Sequence, residues 1–306
     1  MQSPDRSKIQ SLFIFLPLLW VLGGTACRPM DYHLLHPLSP QPEIFRQAGI
    51  FDRGQLRIHW VAHYPGGKGR LPAVLVHPDA GGLAEDMEGI CLALARSGYF
   101  AAAVHYQRLE NLGKKNPLFP WKSPEEVTAA LRLLKADPRV DPERIGLLGY
   151  SKGGMLSLLI ASQDPSVKAV VAYYPLTDFE EWLDLGKYSF PQSLWIRGIR
   201  AYVLKELQVP TWDEALKILR IASPIHQAEN IQAPVLLVHG ERDRTAPLAQ
   251  VQNLCRRMQE AGRKCELLVI PGAGHVFNFL DGEQGKAAWE KTADFLAAYL
   301  KRKPDG

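Results

Sequence analysis

Ile145-Gly146-Leu147-Leu148-Gly149-Tyr150-Ser151-Lys152-Gly153-Gly154-Met155 is the stretch whose reading decides the fold. Ile145 to Leu148 is a short apolar run, the pattern of a strand buried on both faces. From Met155 to Ala161 the apolar spacing becomes helical. Between them stands G-x-S-x-G, a pattern that is weak alone but here joins a strand directly to a helix. Such a sharp turn presses backbone on backbone, which favours glycine on both sides of its apex. Ser151 occupies the apex, near the positive end of a helix dipole. The plain alternative is a flexible Gly/Ser turn.

Alternation of strands and helices continues on either side. Upstream, Gln55–Tyr64 alternates apolar and polar residues and ends in the turn Pro65-Gly66-Gly67. Ala73–Val76 and Phe100–Val104 read as buried strands, with a helix over Glu85–Ser97 stopped by Gly98. Ser123-Pro124-Glu125-Glu126 has the cap, proline and acids of a helix start, and that helix is expected to run to about Lys135. Downstream, Ala169–Tyr173, Pro234–Val238 and Glu266–Ile270 read as strands, and Leu248–Ala261 and Ala287–Leu300 as helices. Pro175–Asn230 is helical in character with no convincing strand. The expected fold is α/β: a mostly parallel central sheet with helices on both faces. Reactive residues in such sheets gather in loops at the carboxyl ends of strands.

A serine hydroxyl becomes nucleophilic only when a base takes its proton. His226, His239 and His275 follow Ser151. His275 stands in the Gly-rich loop Pro271-Gly272-Ala273-Gly274-His275, at a strand's carboxyl end, and is the first choice. His239 ends a strand and reads as structural. The base needs an acid to hold its tautomer. Asp243 follows the strand ending at Val238 and precedes His275; Asp178 competes, and Glu241 sits too close to its strand end. The fourth element is His77-Pro78-Asp79-Ala80-Gly81-Gly82. Two backbone N–H groups are needed to hold a developing oxyanion, and Lys152 with Asp79, or Ala80, would supply them. Pro78 has no N–H to give. In the plain alternative the glycines merely turn the chain. Lys152, Arg242 and Arg244 flank these positions and read as solvated charge rather than as an anion site.

These four motifs, in order and each after a strand, resemble the α/β-hydrolase superfamily, and within it the dienelactone hydrolase branch, over residues 50 to 300. The resemblance implies an α/β-hydrolase fold and a carboxylic-ester hydrolase with the triad Ser151, Asp243 and His275. The Ser151 nucleophile departs from the cysteine of dienelactone hydrolases proper. Ser223-Pro224, Ala233-Pro234 and the His239 segment are also similar to the catalytic domain of prolyl-oligopeptidase relatives. A small peptidase is therefore one rival reading, and a non-catalytic envelope lipoprotein on a hydrolase scaffold is the other. The long interval at about 176–230 is read as a helical cap over Ser151, against extra helices packed on the sheet edge.

The N-terminus differs from the rest. Arg6 and Lys8 precede an apolar run from Ser11 to Gly24, which suits a secretory signal better than a membrane span. Gly23-Gly24-Thr25-Ala26-Cys27 resembles a bacterial lipobox, with Gly24 where a larger aliphatic residue is usual. The expectation is a signal over 1–26, a lipid on Cys27 and a linker over 27–48. The hydrolase domain follows at 49–303. Plain cleavage after Ala26, or an uncleaved anchor, is the alternative. This implies export, to the periplasm or to a membrane-anchored state, with contact to membrane only through that lipid.

A net charge of +4 in 306 residues gives no reason to expect nucleic acid. Four cysteines are too few for a disulfide scaffold and lack zinc-type spacing. A Cys255–Cys265 bridge is open to the sequence, but three unpaired thiols at Cys91, Cys255 and Cys265 are preferred. No metal or organic cofactor is expected; the expected partner is a small ester substrate.

Overall fold

The computed structural model describes residues 39–54, 56–108, 128–280 and 282–301. Its strands are β1 (Ile44–Arg53), β2 (Leu56–Pro65), β3 (Leu71–His77), β4 (Phe100–Arg108), β5 (Val140–Tyr150), β6 (Val167–Tyr173), β7 (Val235–Gly240) and β8 (Cys265–Ile270). They form one eight-stranded sheet in the order β1-β2-β4-β3-β5-β6-β7-β8. The pairings β1–β2 and β2–β4 are antiparallel, and every later one is parallel. The helices are α1 (Glu88–Arg96), α2 (Ala129–Ala136), α3 (Lys152–Gln163), α4 (Phe179–Trp182), α5 (Gln192–Leu207), α6 (Trp212–Ile221), α7 (Leu248–Glu260), α8 (Phe277–Leu280) and α9 (Gly282–Leu300). None of the described helices is long and apolar enough to cross a membrane.

Successive residues of a strand face opposite sides, so each apolar run supplies two cores. Leu75, Leu147, Val170 and Leu237 face one core, where they meet Leu156 and Leu159 of α3, Leu131 of α2 and Leu254 of α7. Val74, Leu148, Val171 and Leu236 face the other, with Ile90 and Leu94 of α1 and Phe295 and Leu296 of α9. Helices therefore cover both faces, which explains why the parallel strands read as unbroken apolar runs rather than alternating ones. Their carboxyl ends line up in one row: Tyr150 pairs with Tyr173, Tyr173 with Val238, and Gly240 with Ile270.

Two features differ from the sequence expectations. β1 begins at Ile44, inside the stretch read as linker, and pairs with β2 along its whole length, Ile44 with Pro65 and Arg53 with Leu56. It is an edge strand, largely exposed, so its sequence carries no clear alternation. The helix expected from Ser123 is described only from Ala129 to Ala136, and its start lies outside the described residues, as do Cys27 and the signal.

The second difference concerns cysteine. Cys255 and Cys265 form a disulfide, against the preference for free thiols. The tight return from α7 into β8 brings their Cα atoms to 5.4 Å, within bridging range. Cys91 is free and buried.

The long interval contains α4, α5, α6 and short 3-10 turns at Leu185–Lys187 and Pro224–Asn230, with no strand among residues 175–230. Ile196, Val203, Ala215 and Leu219 join the first core, and Trp182, Tyr188, Trp195 and Trp212 pack against it. Most of the interval's aromatics thus serve packing, whereas Phe190 and Tyr202 are exposed.

Candidate active site

β5 runs straight into α3 through Ser151, whose backbone stands at φ 49° and ψ −114°. Non-glycine residues rarely adopt that region, and its strain is the cost of a hairpin-sharp strand-to-helix turn. The flanking glycines have a measurable reason. A Cβ on Gly149 would lie 2.1 Å from the Gly153 carbonyl oxygen, and a Cβ on Gly153 would lie 2.2 Å from that of His77. No side chain fits either place.

Backbone bonds extend the sheet beyond its strands. The Ser151 N–H donates to Tyr173 O at 2.9 Å, and the Glu241 and Arg242 N–H groups donate to Ile270 O and Ala273 O at 3.0 and 2.8 Å. Gly240 allows the last contacts, since a Cβ there would stand 2.5 Å from the Ala273 and Gly274 carbonyl oxygens. The serine, acid and base loops are therefore held in fixed relation.

Within that frame His275 Nε2 lies 3.1 Å from Ser151 Oγ, and His275 Nδ1 lies 2.6 Å from Asp243 Oδ2. A carboxylate only accepts, so Nδ1 carries the proton and Nε2 is left to accept from the serine hydroxyl. The other Asp243 oxygen accepts from the Thr245 and Ala246 N–H groups at 2.8 and 2.9 Å. The competitors are engaged elsewhere. Asp178 caps α4 by accepting from Glu181 N, Glu241 accepts from Gly272 N, and His226 is exposed on a 3-10 turn. His239 donates from Nε2 to Ala246 O at 2.8 Å, and burial keeps its imidazole neutral by lowering its pKa.

Residues 60–300 match the model of the dienelactone hydrolase family. The chain belongs to that family.

Among relatives of this dienelactone hydrolase-family protein, one from Methylorubrum extorquens is named "Putative carboxymethylenebutenolidase". It is 26% identical over 289 residues, 87% of each chain. Another, from Bradyrhizobium sp, is named "Probable 2-oxo-3-(5-oxofuran-2-ylidene)propanoate lactonase". It is 25% identical over 266 residues, which is 82% of this chain and 93% of that protein. In fold, the acylaminoacyl peptidase of Pyrococcus horikoshii superposes with a TM-score of 0.66 at 20% identity, over 86% of this chain and 43% of that one. The protein has the α/β-hydrolase fold and is a hydrolase acting on ester bonds.

The loop after β3 rests on α3, because Gly153 lets the His77 and Pro78 carbonyls approach its first turn. This brings Asp79 beside Lys152, the other expected oxyanion residue. His77 beneath them is buried, 3.0 Å from Ser157 Oγ and 3.4 Å from Tyr106 OH, and burial brings its pKa down to about 3. It is a neutral prop.

Lys152 itself corrects the sequence reading of solvated charge. Its side chain is buried, and burial lowers its pKa to about 8 against the opposing fields of Asp79 and Glu206. The first turn of α3 is covered by the β3 loop, which the sequence does not reveal. Burial likewise pushes the Asp79 carboxyl upward, opposed by Lys152. Arg242 and Arg244 are exposed, as expected. Sequence reasoning did not single out Tyr174, whose ring centroid lies 4.6 Å from that of His275, or Asn278, which accepts from its hydroxyl. The only local signal was a tyrosine just past the end of β6.

Proposed function

We propose that this protein is a serine hydrolase of carboxylic esters, lactones included, working through Ser151, His275 and Asp243. What supports the reading is the unbroken chain of hydrogen bonds from Ser151 Oγ through His275 to a buried Asp243. In the mechanism, Ser151 Oγ attacks the carbonyl carbon as its proton passes to His275 Nε2. Charge moves to the carbonyl oxygen, facing the Asp79 and Lys152 N–H groups. Collapse expels the alkoxide, which takes the proton from His275 and leaves an acyl-Ser151. Water, deprotonated by His275, then attacks the acyl carbonyl, and the acid product leaves with Ser151 restored. Asp243 holds the tautomer and stabilises the imidazolium. With a lactone, the alkoxide stays attached to the acyl chain and one hydroxy acid is released. The lactonase name of the Bradyrhizobium relative favours including lactones.

The test is labelling of the purified protein with a fluorophosphonate probe. Wild type is expected to label, and Ser151→Ala and His275→Ala are not. Absence of Ser151-dependent labelling overturns the reading, and would leave a retired scaffold. Turnover of p-nitrophenyl esters and lactones against aminoacyl-peptide substrates separates an esterase from a peptidase.

We also propose that the chain is exported and carries a lipid on Cys27. The basic and apolar N-terminal pattern supports this, and the Cys255–Cys265 disulfide suits an oxidising compartment. Loss of membrane-fraction association in Cys27→Ser is the expected outcome; unchanged partition refutes the lipid.

A further inference from the structure

Among the described residues, four that are not glycine have positive φ: Ser151 (49°), Tyr174 (38°), Gln208 (56°) and Val276 (53°). Gln208 has a local explanation, because it closes α5 as a left-handed C-cap. The other three meet at one imidazole. Ser151 is hydrogen-bonded to His275, Val276 follows it in sequence, and the Tyr174 ring centroid lies 4.6 Å from that of His275, the planes tilted by 59°. Backbone strain persists only where surroundings over-determine it. At Ser151 it serves the nucleophile and at Val276 the base loop, whereas Tyr174 has no part in the chemistry above.

Tyr174 is held from several sides. Its N–H donates to Val238 O at 2.7 Å, joining the end of β6 to β7. Its ring is fully buried, with ring centroids of Tyr173 and Phe277 at 6.1 and 5.9 Å. Its hydroxyl donates to Asn278 Oδ1 at 2.7 Å. Asn278 is 2% exposed and stands in α8, the helix that ends the loop carrying the base. A buried tyrosine hydroxyl needs some acceptor. Here the acceptor belongs to the segment whose position sets where His275 sits, so one bond fastens the sheet end to the far side of the base loop. Asp243 fixes Nδ1, which leaves the tilt of the imidazole to whatever packs on its ring, and Tyr174 packs there.

We propose that Tyr174 is a positioning residue for the base: its ring, bolted by Asn278, holds His275 in the orientation that aims Nε2 at Ser151 Oγ. The proposal rests on the Ser151–His275–Asp243 mechanism above. Loosening the bolt disturbs the proton transfer and leaves the binding of ground-state ester untouched. Misplacement of a reacting group by about 1 Å costs on the order of 100-fold, so partial loosening is expected to lower kcat about 10-fold.

The experiment is ester hydrolysis by wild type, Tyr174→Phe, Asn278→Leu, their double variant and Tyr174→Leu, each with a thermal melt. Tyr174→Phe and Asn278→Leu are each expected to lower kcat about 10-fold, with KM changed by less than about twofold. The double variant is expected to fall no further than the worse single one, because both remove the same bond. Tyr174→Leu, which also removes the ring, is expected to fall further. Tyr174→Phe keeps shape and burial, so it decides the matter even where Tyr174→Leu fails to fold.

A Tyr174→Phe kcat within about twofold of wild type overturns the proposal, as do multiplying effects in the double variant or a loss carried by KM. A wild type that neither turns over esters nor labels at Ser151 overturns the mechanism itself, and the proposal falls with it. Those two failures are distinguished before any variant is made.

Discussion

Gly153→Ala tests whether the β3 loop and the nucleophile helix work as one unit. The added Cβ would stand 2.2 Å from His77 O and 2.4 Å from Pro78 O, where ordinary contact begins near 3.4 Å. Both obstacles are backbone carbonyls, so no side-chain rotation relieves them. The loop or the helix must move by about 1 Å, carrying Asp79 away from Ser151 and from Lys152, with which it is proposed to hold the oxyanion. Such a displacement is worth on the order of 100-fold in kcat. The overpacking costs about 1–3 kcal/mol, or a Tm lower by roughly 2–12 °C. Michaelis parameters on a p-nitrophenyl ester, with a melt on the same sample, read both effects. Gly274→Ala is the control, because its Cβ would meet nothing within 4 Å although it adjoins His275 in sequence. A Gly153→Ala kcat within about threefold of wild type would refute the reasoning, as would an equal loss in Gly274→Ala.

Three further outcomes are expected. Asp243→Asn leaves the fold intact but lowers kcat by about 10⁴, since an amide permits the wrong imidazole tautomer; a loss under about tenfold contradicts the triad. Removing the disulfide in Cys255→Ser/Cys265→Ser, which closes a separation of 10 residues, lowers stability by about 3 kcal/mol and Tm by roughly 6–12 °C with activity at 25 °C retained. An unchanged melt would show that the bridge adds nothing.

The third concerns Lys152, whose pKa falls from an ordinary 10.5 to about 8 on folding. Between those values the unfolded chain binds the extra proton, so stability rises with pH across that window, by about 3 kcal/mol relative to Lys152→Met. Urea titrations at several pH values measure the difference, and a difference that stays flat through the window is the contrary result.

Local patterns were legible wherever a residue's role is set by its own neighbours in sequence. The apolar runs at 73–76, 145–148 and 234–238 each lie within a buried strand or overlap one, because a strand covered on both faces must be apolar throughout. Gly149 and Gly153 could be read as the flanks of a sharp turn. β1 could not be read, since an exposed edge strand leaves little periodicity; it is defined by its register with β2. Lys152 could not be read either. Its burial comes from the β3 loop, and the fields that oppose the effect of that burial come from Asp79 and Glu206, all remote from it in the chain. The same holds for Asp178, a competitor to the preferred Asp243 until its side chain is found capping α4.

By itself, then, the sequence determined the order of strands from β2 onward with the main helices between them, the elbow around Ser151, and the loops of the preferred acid and base, Asp243 and His275. Tertiary structure decided that Asp243 and not Asp178 meets the base, that Lys152 is buried, that Cys255 joins Cys265, and that Tyr174, bonded to Asn278, packs on His275. The reason is physical. Periodicity and turn chemistry act over a few neighbouring residues, whereas hydrogen bonds and burial are decided by groups that packing brings within 3 or 4 Å from more than a hundred residues away, as it does Tyr174 and Asn278.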